Sequence, residues 1–172
     1  MEDEVIKMEN YMMINGVKIP LNDEKVKILE NTCIIPSLLF SRAEKAGTYY
    51  YITAAGHCRW AKDTGSDTDY NLYKVGNYCK QRHIMHQRAL HEILNRLLWR
   101  FSMENGEGEN PWDNTHQHYY ITYKYIQNEF GTAPMMWRRN VGSIYFPSED
   151  IANRAIEEIV KPFMKENPTF VW

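Results

Sequence analysis

Residues 75–103, VGNYCKQRHIMHQRALHEILNRLLWRFSM, contain the pattern that decides the fold. A glycine turn at Gly76 precedes a segment in which apolar residues recur every three or four positions. This spacing places the apolar side chains on one face of an amphipathic helix. The face consists of Leu90, Ile93, Leu94, Leu97, Leu98 and Phe101. The stretch therefore predicts a long helix with one buried face.

The same order of features returns in the second half of the chain. VGSIYF at residues 141–146 leads into a second apolar helical pattern, and YYIT at residues 50–53 is repeated at residues 119–122. Gly76 and Gly142 stand at the same distance before an alanine of each helical pattern. We therefore predict an α+β fold with two tandem repeats, each a three-stranded antiparallel sheet packed on one helix.

Four segments follow from this interpretation. A Gly-, Asn- and Glu-rich stretch that begins at Ser102 separates the two repeats. The predicted segments are an N-terminal hairpin and short helix at 1–46, the first repeat at 47–103, a linker at 104–117 and the second repeat at 118–172.

The N-terminal segment has its own local signals. Asn15-Gly16 between two apolar runs is typical of a tight β-hairpin turn, and Pro20 ends the second strand. Asn22 is placed to cap a short helix that would run through Leu29.

The strands of the two repeats follow from β-branched and aromatic runs between turn residues. The predicted strands are 48–53, 57–61 and 70–78 in the first repeat, and 119–126, 129–139 and 140–146 in the second. The polar loop DTGSDTD at residues 63–69 is expected to be a solvated turn. Ser148 is the predicted N-cap of the second helix, and Pro162 is expected to bend or end it near Val160.

The composition favours a globular intracellular protein. The chain has 172 residues, 44% of them hydrophobic, and a formal net charge of −2, which by itself predicts no nucleic-acid binding. Three cysteines without CxxC spacing favour free thiols in the cytoplasm of a host cell. The acidic start MEDEVIK is unlike a signal peptide, and no apolar run is long enough to span a membrane.

Two strands combine tryptophan with basic residues. The second strand of the first repeat contains Arg59, Trp60 and Lys62, and the corresponding strand of the second repeat is expected to contain Trp137, Arg138 and Arg139. Such strands offer stacking and phosphate contacts to a nucleic acid, or an anchor for a protein partner. A strand that alternates a buried Trp with solvated charges explains much of the same pattern.

The long helix is rich in basic residues. Arg82 and Arg88 are candidate contacts to phosphates or to an acidic groove, together with Arg96 and Arg100. The alternative is an exposed polar face opposite the leucines, in which Glu92 pairs with Arg96.

Motifs for catalysis or metal binding are weak. Cys79, His83 and His86 have a helical ligand spacing, but CxxC and HExxH motifs are absent. The sequence contains no GxSxG and no phosphate-binding GKS or GKT motif. We therefore expect no metal, no cofactor and no enzymatic activity.

Four stretches carry a resemblance to a known family. VGNYCK, QRALHEILNRLLWRFSMENG, HYYITYKY and GSIYFPSEDIANRAIEEIVKPFMKENPTF resemble small proteins found in phages and mobile elements of gut Firmicutes. The resemblance runs from about Gly47 to the C-terminus. It implies a phage accessory protein, and the group is similar to anti-CRISPR proteins directed at the type II effector nuclease.

A second resemblance concerns the repeat unit. Three strands followed by a helix, with GSIYFPSEDIANRAI at the junction, resemble the plant APETALA-type DNA-binding domain. That resemblance implies that the sheet enters the major groove through Arg59, Trp60, Trp137, Arg138 and Arg139. The spacing and the lack of net positive charge depart from that domain.

Three functions are compatible with these features. The first is an anti-defence protein that binds a host CRISPR effector nuclease, with DNA as a further contact, and does no chemistry. The second is an APETALA-like regulator that binds double-stranded DNA. The third is a sponge for a nucleotide defence signal, for which tyrosine-rich strands offer stacking surfaces. No membrane partner is expected, and the partner, the oligomeric state and the packing of the repeats are left open.

Overall fold

The computed structural model describes residues 11–14, 17–20 and 41–172. Strands β1 (Tyr11–Ile14) and β2 (Val17–Pro20) form an antiparallel hairpin in which Ile14 pairs with Val17. The hairpin predicted from Asn-Gly is therefore confirmed. The short helix predicted to begin at Asn22 lies outside the described residues.

A second hairpin opens the first half of the body. Strands β3 (Thr48–Ile52) and β4 (Cys58–Lys62) pair in an antiparallel register that places Tyr50 opposite Trp60. Gly56 in the connecting turn has a φ of +87°, and a Cβ atom there would lie 2.7 Å from Cγ1 of Ile93. Only glycine fits, so this turn holds the hairpin close to the long helix.

A helix replaces the third strand predicted at residues 70–78. Helix α1 (Asp67–Lys74) is capped by Ser66, whose side chain accepts a hydrogen bond from the Asp69 amide. The Asp69 side chain in turn accepts one from the Ser66 amide, which completes a capping box. The strand prediction was wrong because this helix-start signal lies inside the stretch assigned to a polar loop.

A single residue, Cys79, takes the place of that strand in the sheet. Tyr50 and Cys79 exchange two backbone hydrogen bonds of 2.7 and 3.0 Å. Helix α2 (Arg82–Glu104) follows and confirms the helix predicted from the leucine pattern. Its buried side chains include Leu90, Leu94, Leu98 and Phe101.

The second half repeats the hairpin, the bridge and the helix after it, but has no counterpart of α1. Strands β5 (His118–Lys124) and β6 (Glu129–Met135) form the third hairpin. Tyr119 and Phe146 exchange backbone hydrogen bonds of 2.9 and 2.7 Å, and Phe146 is the one residue of the predicted third strand that pairs with β5. The three-stranded sheets are therefore not formed: the described residues contain two-stranded hairpins, two of them extended by a single bridge.

The last helical segment changes from α-helical to π-helical hydrogen bonding and back along its length. Helix α3 (Glu149–Ala155) is capped by Ser148, as predicted, and continues through a π turn (Ile156–Val160) into α4 (Lys161–Glu166). The helix was expected to bend or end near Val160. It continues instead, and Pro162, which lacks a backbone N–H, follows directly after the wider turn where the hydrogen-bond pattern changes.

Helix α2 contributes to both hydrophobic clusters found in the described part of the chain. Its first turns, with Met85 and Ala89, pack with Ile52 and Cys79 of the first half. Its later turns pack into the larger cluster, which joins Leu90, Leu94, Leu98 and Phe101 to Phe146, Ala152, Ala155, Val160, Phe163 and Phe170. The helix of the first half therefore also forms the core of the second half.

The architecture is α+β, as predicted from the sequence. Within the described part of the chain, no helix combines the length and the apolar composition that a bilayer crossing requires.

Candidate ligand pocket on the β3–β4 hairpin

A cavity of about 690 Å³ lies beside the β3–β4 hairpin. This volume is within the range typical of small-molecule sites. We call it the hairpin pocket, and its lining residues are Thr48, Tyr50, Cys58, Arg59, Trp60, Lys62 and Arg82. Four of the eight contact residues predicted from the sequence therefore line one cavity.

Strand register and the Cys79 bridge bring these residues together. Tyr50 lies opposite Trp60, and Thr48 lies opposite Lys62, so these four side chains emerge on one face of the hairpin. The bridge to Cys79 fixes the start of α2 beside the same strand. Arg82 is the first residue of that helix and thereby reaches the pocket.

The pocket lies on the side of the hairpin that carries α2. The opposite face of the hairpin is covered, because Tyr49 on that face is buried and stacks on Tyr78, with ring centroids 4.1 Å apart. The Tyr49 hydroxyl donates a 2.7 Å hydrogen bond to Asp69 of α1. The open surface is therefore at the edge of the helix-bearing face.

Three cations of the pocket have no acidic partner among the described residues. The side chains of Arg59, Lys62 and Arg82 are exposed and form no hydrogen bond or ion pair there. The other arginines of α2 are paired: Arg88 and Arg96 with Glu92, and Arg100 with Glu104. The arginines of α2 after Arg82 therefore belong to a polar face whose charges are neutralised, which is the alternative given for this helix. Of the arginines of α2, only Arg82, at the pocket, has no acidic partner within the described residues.

The start of α2 adds to this positive charge. Gln81 occupies the N-cap position and makes no side-chain capping hydrogen bond. The first turn contains no acidic residue. The positive end of the helix dipole therefore lies beside Arg82 without a compensating carboxylate.

Trp60 gives the pocket an aromatic wall. Its side chain is 64% exposed, which leaves most of the ring surface accessible. Trp60 is therefore not the buried residue of an alternating strand. An exposed indole beside unpaired cations offers stacking and anion contacts in one place.

The Cys58 thiol at the pocket is not activated as a nucleophile. Burial raises the pKa of the Cys58 thiol, although the nearby charge of Arg82 acts in the opposite direction. The thiol therefore stays protonated at neutral pH, and a protonated thiol is a poor nucleophile.

Arg88, a predicted contact residue, has a structural role. Its guanidinium donates to the Gly76 carbonyl and to Glu92 at 3.2 Å. It therefore ties the turn before the Cys79 bridge to α2.

Trp137, Arg138 and Arg139 lie away from the hairpin pocket and outside any strand. The second strand was predicted to continue to residue 139, but β6 ends at Met135. Pro134 in β6 lacks a backbone N–H, and the chain bends directly after Met135. These three residues belong to the loop that leads to Gly142.

This loop still presents an aromatic surface. Trp137 is 80% exposed, and Trp137 and Arg138 line a separate cavity of about 450 Å³ with Pro134, Met135 and Met136. The Arg139 guanidinium lies 5.5 Å from the Trp112 ring centroid, so it packs on the protein. Arg138 forms no hydrogen bond or ion pair within the described residues.

A buried cluster that was not predicted anchors the segment assigned to a linker. His118 is fully buried, and its Nδ1 lies 2.6 Å from Oε1 of the buried Glu107. The Trp112 ring stacks on the His118 ring at 3.6 Å between centroids. The cluster holds the start of β5 and supports Arg139. No local sequence pattern connects Glu107, Trp112 and His118, so the sequence showed only a run of polar residues in this segment.

The acidic loop is also more structured than predicted. Asp63 and Asp69 are buried, whereas we expected a solvated turn. Arg42 donates two hydrogen bonds of 2.8 and 2.9 Å to Asp63, and the Tyr78 hydroxyl donates a third of 2.9 Å. Because Asp63 directly follows Lys62, this network fixes the end of β4 at the pocket.

The pKa values of this network follow from its hydrogen bonds. The hydrogen bond from Arg42 lowers the pKa of Asp63 below its usual value. The hydrogen bonds from Tyr49 and Ser66 hold the pKa of Asp69 well below its usual range. Burial raises the pKa of Tyr78 to about 12, and its hydrogen bond to Asp63 acts in the same direction. The Asp63 and Asp69 carboxylates are therefore charged at pH 7. The hydroxyls of Tyr49 and Tyr78 are neutral at this pH, because burial raises the pKa of both.

Across the described residues, no cluster of three or more His, Cys, Asp or Glu side chains is placed to hold a metal ion. Cys58 and Cys79 are free thiols, and Cys33 lies outside the described part of the chain.

No family model, no curated protein and no solved structure matches this chain.

Proposed function

We propose that the protein is a phage-type anti-defence protein, an anti-CRISPR inhibitor that binds a type II effector nuclease and blocks it without chemistry. One observation carries most of the weight. Lys62 and Arg82 line the same pocket as the exposed ring of Trp60, with Arg59 at its rim, and none of the three cations has an acidic partner within the described residues. A nuclease loaded with guide RNA presents phosphates and bases that such a surface can contact.

The resemblance to small phage proteins supplies the anti-defence part of the proposal. The two halves are interpreted as copies of one hairpin–bridge–helix unit. The paired bridges at Tyr50 and Tyr119 support that interpretation. The exposed Trp137 of the second half provides a second contact, because exposed tryptophans are frequent anchors in protein interfaces.

Size-exclusion chromatography tests the binding directly. The purified protein is mixed with the nuclease alone, and with the nuclease loaded with guide RNA. The proposal predicts co-elution with the loaded nuclease. A protein that elutes alone from both mixtures contradicts the proposal.

A second candidate is a regulator that binds double-stranded DNA. It is favoured by Arg59 and Trp60, which lie on a strand as the APETALA resemblance implies. It is disfavoured by Trp137, Arg138 and Arg139, which lie beyond the end of β6. A duplex titration at two salt concentrations separates the candidates, because a DNA-binding regulator shows a steep salt slope without any nuclease.

A further inference from the structure

The hairpin pocket has a counterpart position in the second half, and strand register identifies it. Tyr50 and Tyr119 each form the bridge to a residue three positions before a helix, and they lie opposite Trp60 and Pro134, respectively. By the same register, Ala133 stands where Arg59 stands, opposite the next tyrosine of its hairpin. Met136 follows Pro134 at the spacing at which Lys62 follows Trp60.

The helix that follows the bridge also begins differently in the two halves, with a cation in the first half and a carboxylate in the second. Arg82 is the first residue of α2, and Glu149 is the first residue of α3. The α3 start is capped by Ser148 and has acids in its first turn, whereas α2 has neither feature. The Glu149 carboxylate accepts a 3.1 Å hydrogen bond from Thr132, the counterpart of Cys58. An anion is therefore attracted to the first start and repelled from the second.

We propose that the hairpin pocket binds one phosphate-bearing nucleotide unit per chain, with the base stacked on Trp60 and the phosphate held by Arg82 and Lys62. The counterpart position in the second half binds none. This site goes beyond the proposed function, because a nucleotide occupies it whether or not a nuclease is present.

The aromatic wall distinguishes a nucleotide from a simple anion. Inorganic phosphate would use Arg82 and Lys62 and leave the Trp60 ring in contact with water. A nucleotide also covers that ring, and base stacking on an aromatic side chain contributes about 1–3 kcal/mol per base. The pocket volume of about 690 Å³ accommodates both parts of such a ligand.

Isothermal titration calorimetry with the full chain tests the site. The probes are AMP, GMP, CMP and UMP, a 5′-phosphorylated trinucleotide, the four nucleosides, and inorganic phosphate. We expect at least one phosphorylated probe to bind with one site per chain, about tenfold more tightly than its nucleoside or than phosphate. Preference for the trinucleotide identifies a strand end, and preference for a monophosphate identifies a free nucleotide.

Substitutions then assign the binding to the pocket. Arg82→Gln and Trp60→Ala each weaken the binding of the preferred probe by about tenfold. Arg100→Gln, an exposed arginine of the same helix, leaves it unchanged. Thermal melting of each variant verifies folding, and Lys62→Gln replaces any variant that melts early.

Three results overturn the inference. They are the absence of saturable binding by every phosphorylated probe, a stoichiometry of two per chain, and inorganic phosphate that binds as tightly as the nucleotides. None of these results bears on co-elution with the nuclease, so the site and the proposed function can fail separately.

Discussion

Arg82 and Glu149 occupy equivalent positions with opposite charge. Each is the first residue of a helix that begins at the same distance after a single-residue β-bridge, at Cys79 and Phe146, respectively. The same local architecture therefore presents a cation in one half of the chain and a carboxylate in the other. Because of this charge difference, we assign an anion-binding surface to the first half and none to the corresponding position of the second half.

Charge reversal at Arg82 tests which half contacts a polyanion. Arg82→Glu is expected to weaken binding of a 5′-phosphorylated single-stranded oligonucleotide by about tenfold and to reduce the salt slope by about one. The reason is the loss of one unpaired cation and the gain of a repulsive charge at the pocket. Fluorescence anisotropy at several salt concentrations measures both quantities. Glu149→Gln is the matched control, and a similar loss in both variants would contradict the assignment.

Removal of the Tyr78 hydroxyl tests the network behind the pocket. Tyr78→Phe is expected to lower the free energy of unfolding by about 1–3 kcal/mol, because buried Asp63 and the Ala43 amide each lose a hydrogen-bond partner. Urea denaturation measures the change. Tyr73→Phe is the control, because the Tyr73 ring packs edge-on against Tyr78 while its hydroxyl makes no hydrogen bond within the described residues. Equal stability of wild type and Tyr78→Phe would show that the network does not form.

Acid stability follows from the carboxylates of the same network. The pKa values of Asp63 and Asp69 are lower in the folded protein than in the unfolded chain. Their contribution to stability is fully present above the unfolded value of about 3.9 and is lost as the pH falls below it. The melting temperature is therefore expected to decline below about pH 4. Differential scanning calorimetry across this range measures it, with Asp69→Asn expected to show a shallower decline. A melting temperature that is constant down to pH 2.5 would refute this account.

The shared helix predicts a single unfolding transition. Leu94 is buried in the cluster that joins α2 to the C-terminal helix. Leu94→Ala is expected to lower the free energy of unfolding by about 2–5 kcal/mol and to preserve one cooperative transition. Calorimetry and urea denaturation provide the measurements. Asn95→Ala, at the exposed neighbouring position, is the control. Two separate transitions would instead support independent units divided at the predicted linker.

Periodicity and caps predicted the elements with strong local signals. The leucine spacing of α2, the Asn-Gly hairpin and the Ser148 cap each depend on neighbouring residues, so the sequence contained the information. The capping box of Ser66 and Asp69 was equally local, but the aspartates around it are typical of a solvated loop. Burial of Asp63 and Asp69 depends on Arg42 and Tyr49, which no local pattern connects to them.

The site was predicted only in part, because contacts between distant parts of the chain bring some of its residues together. Arg59, Trp60 and Lys62 formed a recognisable group on one strand, but the position of Arg82 at the same cavity depends on the Tyr50–Cys79 bridge. Arg88 was grouped with Arg82 by composition, although the i,i+4 spacing to Glu92 already indicated its pairing. Trp137 was matched to Trp60 by residue type, and register shows that Pro134 holds that position.

Inhibition of target cleavage measures the central claim most directly. A type II effector nuclease loaded with guide RNA is titrated with the wild type, with Trp60→Ala and Arg82→Gln, and with the Arg100→Gln control. The account predicts that the wild type and Arg100→Gln suppress cleavage of a matched DNA, and that the two pocket variants require about tenfold more protein for the same effect. Full cleavage in the presence of excess wild-type protein, or equal inhibition by all four proteins, would contradict it.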